Sequence, residues 1–202
     1  MSKRTTANKE EATRVLAEDR TQASDRELVR RCQQGDTDAF RHLYRRHQQK
    51  VRSLLYQLCG GQVLDDLVQE VFLRAWKGLP KMRQAATFST WLYRISWNVA
   101  SDQRRKFALQ RRDRAAIQSD RADVAATEAP DLMQLHHREL VQQGLDALAP
   151  EQRLLILLHE IEDVPHKEIS KILGIPIGTV KSRLFYARRA LREYLQQQGV
   201  YP

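Results

Sequence analysis

The sequence predicts an all-α protein: two small helical domains joined by a flexible linker, the second carrying a helix-turn-helix. Three observations predict it. Apolar residues recur at steps of three and four through most of the chain, the spacing that lines one face of an α-helix. Capping residues, glycines and prolines cut this pattern into helix-sized pieces. From Phe107 to Pro130 no long apolar stripe holds, and charged residues and alanines dominate, which divides the chain in two.

Residues 1–23 are polar and mixed in charge, and are expected to form a disordered extension. Ser24 and Glu27 form a Ser-x-x-Glu capping box that opens a short helix, which runs to Gln34 and ends at Gly35. The next helix, Thr37 to Cys59, is expected to bury Phe40, Leu43, Tyr44, Val51, Leu54, Leu55 and Leu58. His42 and His47 lie on it five apart, a poor spacing for one metal ion, and read as surface or boundary residues. After the break at Gly60-Gly61, the helix QVLDDLVQEVFLRAWK (Gln62 to Lys77) buries Leu64, Leu67, Val68, Val71 and Ala75. Its far side shows Asp66, Gln69, Glu70, Leu73 and Trp76. An apolar anchor ringed by carboxylates suits a basic protein partner and repels DNA; the competing reading packs Leu73 and Trp76 on a neighbouring helix.

A loop with Pro80, Lys81 and Arg83 leads into TFSTWLYRISWNVASDQRRK, Thr87 to Lys106. Trp91, Leu92, Ile95 and Val99 share a face that must be buried. The opposite face carries Tyr93, Trp97, Ser101 and Arg104, flanked by Arg94 and Arg105. Rings alternating with guanidinium groups suit unpaired bases and phosphate; alternatively Tyr93 and Trp97 are core aromatics. The linker spans 108–130, with Arg104 to Ile117 open to partial helix. As a coil it averages roughly 25 Å end to end.

The second domain spans 131–196, with a short tail after it. Its first helix, to Leu148, carries Leu132, Leu135, Val141, Leu145 and Leu148. Pro150 starts the next, whose LLILLHEI is apolar almost all round and belongs in the middle of its bundle. HKEISKIL starts near Pro165 and stops at Gly174; after Gly174-Ile175-Pro176-Ile177 a long helix takes Gly178 to Gln196. Two helices across a tight glycine turn make a helix-turn-helix signature. On the last helix Val180, Leu184, Ala187 and Leu191 point inward. Its first two turns, from Gly178 and Thr179 on, suit a major groove. Ser182, Phe185, Tyr186 and Arg189 point outward beside Lys181, Arg183, Arg188 and Arg192. An ordinary helical hairpin with a basic face is the plainer alternative.

The 202 residues carry a formal net charge of +9. That balance favours a polyanion as partner. Cys32 and Cys59 lack ligand spacing and read as free thiols of a reducing compartment. No apolar run approaches the roughly 18 residues of a membrane span, and MSKRTTANKEEATR has no signal-peptide core, so the expected location is cytoplasmic. His159-Glu160 does not continue into HExxH, and GIPIGTVKS lacks the lysine of a phosphate loop. Nothing points to an enzyme, a metal or a cofactor.

The ordered combination of DDLVQEVFLRAWKGL, FSTWLYRISWNVASDQRRK and LAPEQRLLILLHEIEDVPHKEISKILGIPIGTVKSRLFYARRALREYL resembles bacterial RNA polymerase sigma factors, more narrowly the extracytoplasmic-function (ECF) group. The resemblance covers residues 24–195. It implies a non-catalytic subunit that binds core RNA polymerase and aims it at promoter DNA. The front domain, 24–107, then corresponds to the polymerase-binding and −10-reading part. Its helix with Asp65, Asp66, Gln69, Glu70, Leu73 and Trp76 would dock on the polymerase clamp helices. The loop with Lys81 and Arg83 would capture a flipped −10 base, at a cost of a few kcal/mol recovered by a pocket and by stacking. Tyr93, Arg94, Trp97, Asn98, Ser101, Arg104 and Arg105 would read and help melt the element. The second domain would read −35 DNA through Gly178, Thr179, Lys181, Ser182, Arg183, Phe185, Tyr186 and Arg189, and touch the polymerase flap. The linker would thread towards the RNA exit path. The family also implies an anti-sigma factor as partner, and the free protein is expected to be a monomer. PKMRQAAT is individual to this chain, Val164-Pro165-His166 replaces a more acidic or serine-rich helix start, and Tyr186 stands where arginine is common. A stand-alone helix-turn-helix regulator is the alternative function; a polymerase-binding adaptor that does not initiate is a third.

Overall fold

The computed structural model describes residues 23–82, 87–115 and 132–199; the N-terminal extension, Arg83 and most of the expected linker lie outside them. Helix α1, Asp25–Gln33, starts on Ser24, whose Oγ accepts from Glu27 N at 3.3 Å. The expected return bond of the capping box is replaced: the Glu27 carboxylate turns to Arg30, at 2.6 Å. Helix α2, Thr37–Cys59, is capped by the Asp36 carboxylate on the amides of Asp38 and Ala39. Helix α3, Leu64–Gly78, buries the expected stripe and Phe72 as well. Gly78 is required where α3 ends: a Cβ there would lie 2.9 Å from Trp91 Cζ2, in a rigid ring that has no free end to move.

Two expectations for α2 are corrected. His47 is buried, not at the surface, because Asp25 of α1 reaches its Nε2 at 2.7 Å and gives the imidazole a partner. Phe88 covers the ring edge-on at 5.2 Å. Tyr44, expected inside, is 37 % exposed, because α3 closes over only one side of its ring.

Helix α4 runs Phe88–Ala115, well past residue 107. The charged, alanine-rich stretch that ends it has good helix propensity without needing an apolar stripe. In the second domain α5 is Leu132–Ala147 and α6 Pro150–Ile156, continued by one π turn over Leu157–Ile161. Leu154 to Leu158 are all buried, as that apolar run predicts. Val141 is exposed rather than buried; Leu140, Gly144, Leu145 and Leu148 form the covered stripe, because glycine at 144 lets α5 lie against Leu191 and Tyr194. Helix α7, His166–Leu173, ends on Gly174 in the left-handed conformation (φ 68°), and α8, Ile177–Gln197, follows.

The two helical groups do not sit apart. Helix α7 packs on α4 and α6 on α2, and the buried apolar side chains of both groups form one continuous core. Helix α4 is therefore covered from two sides: α2 and α3 on one, α7 on the other.

Candidate functional site

Helices α2 and α3 leave an open groove of about 610 Å³, lined by Phe40, Arg41, Tyr44, Arg52, Asp65, Val68, Gln69, Phe72, Leu73 and Trp76. Leu73 and Trp76 are 44 % and 38 % exposed. Trp76 does touch its own domain, edge-to-face on Phe40 at 4.9 Å, and Tyr44 meets Phe72 at 4.6 Å. These rings make the floor of the groove, so one face packs within the domain and is still open to solvent. Asp65, Asp66 and Gln69 are exposed, and Asp65 and Gln69 line the groove together with Arg41 and Arg52. Asp65 pairs with Arg52 at 2.5 Å, and Glu70 accepts from Arg74 at 2.7 Å. Exposed pairs of this kind contribute little stability, so a partner can displace them. Phe40, Tyr44 and Arg52 were missed as groove residues. They belong to α2, whose pattern viewed alone assigns Phe40 and Tyr44 to the core.

On α4 the structure separates residues that the helical wheel groups together. Arg94, Asn98 and Arg105 are exposed; Trp97, Ser101 and Arg104 are half-buried; Tyr93 is buried, at 5 %. Lys81 is exposed on a 3₁₀ turn, Leu79–Lys81. Trp97, Ser101, Arg104 and Arg105 line an open cleft of about 1310 Å³, whose far wall is Gln142, Asp146, Glu151, Arg153 and Arg183 of the second domain. The Arg104 guanidinium lies 5.9 Å from the Trp97 ring centroid, a cation–π contact. Its Nη1 is buried with no hydrogen-bond partner among the described residues, and burial pulls its pKa down. A half-buried cation with an unfilled donor is poised for an anion.

Tyr93 has an acceptor the sequence did not show. Its Oη donates to Glu162 Oε2 at 2.7 Å; burial first, and then that carboxylate, push its pKa up. Lys50 Nζ reaches the same Glu162 oxygen at 2.9 Å.

On α8 all the outward residues stay outward. Gly178, Lys181, Ser182, Arg183 and Arg189 are exposed, Thr179 is half-buried, and Phe185 and Tyr186 are 61 % and 59 % exposed. Val180, Leu184 and Ala187 are fully inside and Leu191 partly so. The cations are held by short exposed pairs within the second domain: Arg183 with Glu151 at 2.6 Å, Arg188 with Glu160 at 2.6 Å, Arg189 with Glu193 at 2.7 Å. Large exposed rings beside guanidinium groups on a helix after a tight turn are ill-suited to solvent and suited to base edges and thymine methyl groups. Among the described residues there is no cluster of three or more metal-ligand side chains, and no helix is long and apolar enough to cross a membrane.

Comparison with known proteins gives this geometry a family. Residues 43–111 match Sigma-70 region 2, and residues 138–191 match Sigma-70, region 4. Those two regions define a sigma-70-type transcription initiation factor. The chain is 34 % identical over 183 residues to the ECF RNA polymerase sigma-E factor of Escherichia coli (strain K12), covering 87 % of this chain and 96 % of that one. Over 185 residues it is 32 % identical to the ECF RNA polymerase sigma-E factor of Haemophilus influenzae, covering 87 % and 97 %. The chain belongs to the ECF sigma factors, which direct transcription initiation at promoters. Two solved structures share its fold. One is CnrH in complex with the cytosolic domain of CnrY (TM-score 0.64, 24 % identity, 87 % of this chain and 99 % of that chain). The other is the sigma factor RpoE in complex with the anti-sigma factor NepR from Bartonella quintana (TM-score 0.66, 23 % identity, 78 % and 96 %). The stand-alone regulator reading leaves the front domain without a role; the region 2 match accounts for it.

Proposed function

We propose that the chain docks on core RNA polymerase through the α2–α3 groove, reads and melts the −10 element with α4 and the loop before it, and grips −35 duplex with α8. The observation that carries this reading is the separation of opposite surfaces on one chain. The groove joins apolar rings to Asp65, with Asp66 and Glu70 on the same helix and Arg41 and Arg52 on the α2 side, and α8 joins apolar rings to exposed cations without a carboxylate among its outward residues from Gly178 to Arg189. The carboxylates of α3 disfavour DNA and suit a basic protein surface, whereas the cations of α8 do the reverse. Gly178, Thr179, Lys181, Ser182, Arg183, Phe185, Tyr186 and Arg189 take the −35 role. Asp65, Asp66, Gln69, Glu70, Leu73 and Trp76 take the docking role, to which we add Phe40 and Tyr44. Arg94, Trp97, Asn98, Ser101, Arg104 and Arg105, with Lys81 and Arg83, take the −10 role, and Tyr93 joins them once uncovered. The protein performs no chemistry of its own; it acts in the cytoplasm, where the polymerase is, and an anti-sigma factor restrains it.

Asp66→Arg with Trp76→Ala tests the docking assignment. The double variant should lose at least tenfold in affinity for purified core polymerase, since an anchor and a neighbouring charge go together, while its circular dichroism keeps the wild-type helix content and its melting falls only by the few degrees that the lost Phe40–Trp76 contact accounts for. Unchanged core affinity would remove the groove from the docking role.

A further inference from the structure

The cleft between the two helical groups holds more positive charge than its own carboxylates match. Six charged side chains line it: Arg104, Arg105, Arg153 and Arg183 against Asp146 and Glu151. Asp146 is taken by Arg153 at 2.7 Å and Glu151 by Arg183 at 2.6 Å. Four cations less two carboxylates leave an excess of two. It falls on Arg104 and Arg105, neither of which forms an ion pair among the described residues. Arg104 Nη1 and Arg153 Nε are also the two buried side-chain polar atoms without a hydrogen-bond partner among the described residues. Burial first, with the like charge of Arg153 behind it, pulls the Arg104 pKa down against an opposing pull from Cys59 and Glu151. An unmatched, part-buried cation with an empty donor is a cost that a bound anion removes.

The α4 wall of the cleft has the form of a phosphate site. Trp97, Ser101, Arg104 and Arg105 all line it, at the spacing of one stripe of a helix. The Ser101 hydroxyl makes no side-chain hydrogen bond among the described residues. Guanidinium groups bind phosphate through paired donors, and a phosphate monoester carries about −2 at neutral pH, which equals the excess. A DNA phosphodiester carries one negative charge and leaves half of it unmatched. Tyr56, in the last turn of α2, opens on the same cleft, is 46 % exposed and meets no other ring among the described residues. Such a ring offers a stacking face to a flat base. The walls are tied together along the seam between the domains. Gln57 and Gln142 exchange both amide bonds, at 2.8 and 2.9 Å, and Arg153 Nη1 donates to the Gln57 carbonyl at 2.7 Å.

We propose that this cleft binds a nucleoside monophosphate, with the phosphate on Ser101, Arg104 and Arg105 of α4 and on Arg153 Nε opposite, and the base against Tyr56. The site belongs to the free chain and needs neither polymerase nor promoter, so the inference goes beyond the function proposed above. The same α4 side chains carry the −10 role, so a bound nucleotide and a −10 strand exclude one another; the binding itself does not depend on that role.

Titration calorimetry on the full chain, free of polymerase, tests the site. The probes are AMP and CMP, one purine and one pyrimidine, with inorganic phosphate and adenosine as separate halves. At least one nucleotide should bind with a dissociation constant below about 1 mM and raise the melting temperature of the chain. Its affinity should exceed that of inorganic phosphate and of adenosine at least tenfold. Arg104→Gln/Arg105→Gln should lose at least tenfold in nucleotide affinity. Arg26→Gln/Lys167→Gln removes the same charge from exposed positions outside the cleft and should bind as wild type does. Tyr56→Ala takes away only an exposed ring, leaves the helices folded, and should bring nucleotide affinity down to that of inorganic phosphate. Neither nucleotide binding below about 1 mM, or inorganic phosphate binding as tightly as both, would overturn the site. Equal losses in the two charge variants would reduce it to general attraction by a basic protein and overturn it too, as would unchanged affinity in Tyr56→Ala.

Discussion

Asp25 is the residue on which the first two helices lock. Its carboxylate reaches His47 Nε2 at 2.7 Å and Arg46 Nη1 at 2.5 Å. Burial pushes its pKa up, but the His47 and Arg46 partners outweigh that and hold it below the usual 3.8. A carboxyl with a depressed folded pKa contributes stability that is complete above the unfolded value and lost as pH falls through the folded value. Asp25→Asn should therefore cost about 1–3 kcal/mol near neutral pH, the range for a part-buried charged hydrogen bond. The gap between its urea midpoint and that of wild type should narrow as pH falls below about 4. A gap that stays constant down to pH 2 would take Asp25 out of the role. The same residue shows what a sequence leaves hidden. Ser24 and Gly174 are legible because a cap bonds to amides or ends a helix within a few residues of itself. His47 is misread as a boundary residue because its partner lies 22 positions away on another helix.

At the scale of the element, α8 is the most legible part of the site. Its inward and outward faces follow from the 3.6-residue period alone, since one side packs in its own domain and the other meets solvent. The account expects Arg183, now paired with Glu151 at 2.6 Å, to leave that exposed pair for a base edge. Arg183→Ala should weaken binding of the holoenzyme to its cognate −35 sequence by about 1–3 kcal/mol, and much less on a scrambled −35. Equal losses on both sequences, with a shallower salt dependence, would make Arg183 a phosphate contact instead. Helix α4 was legible only in part. Its buried edge was right for Leu92 and Val99, but a wheel assumes one covered side, and α4 has two. That second cover is why Tyr93 is inside. The α2–α3 groove was half legible for a related reason: α3 shows its carboxylates and Trp76 on one face, but Phe40 and Tyr44 join them only once the two helices cross.

The whole molecule adds what neither domain's pattern contains. The seam is built from side-chain bonds between residues 69, 78, 85 and 96 positions apart. Polar pairs at such separations leave no periodic trace, and each domain's stripe is already satisfied by its own core. The expectation of two bodies on a linker therefore captured the parts and missed their closure. The arrangement leaves the α2–α3 groove open while it covers Tyr93. The most direct test of the account is to combine purified protein with core RNA polymerase on genomic DNA and sequence the 5′ ends of the transcripts. The account predicts start sites absent with core alone, sharing one −10 and one −35 sequence at fixed spacing. Start sites identical with and without the protein would contradict it.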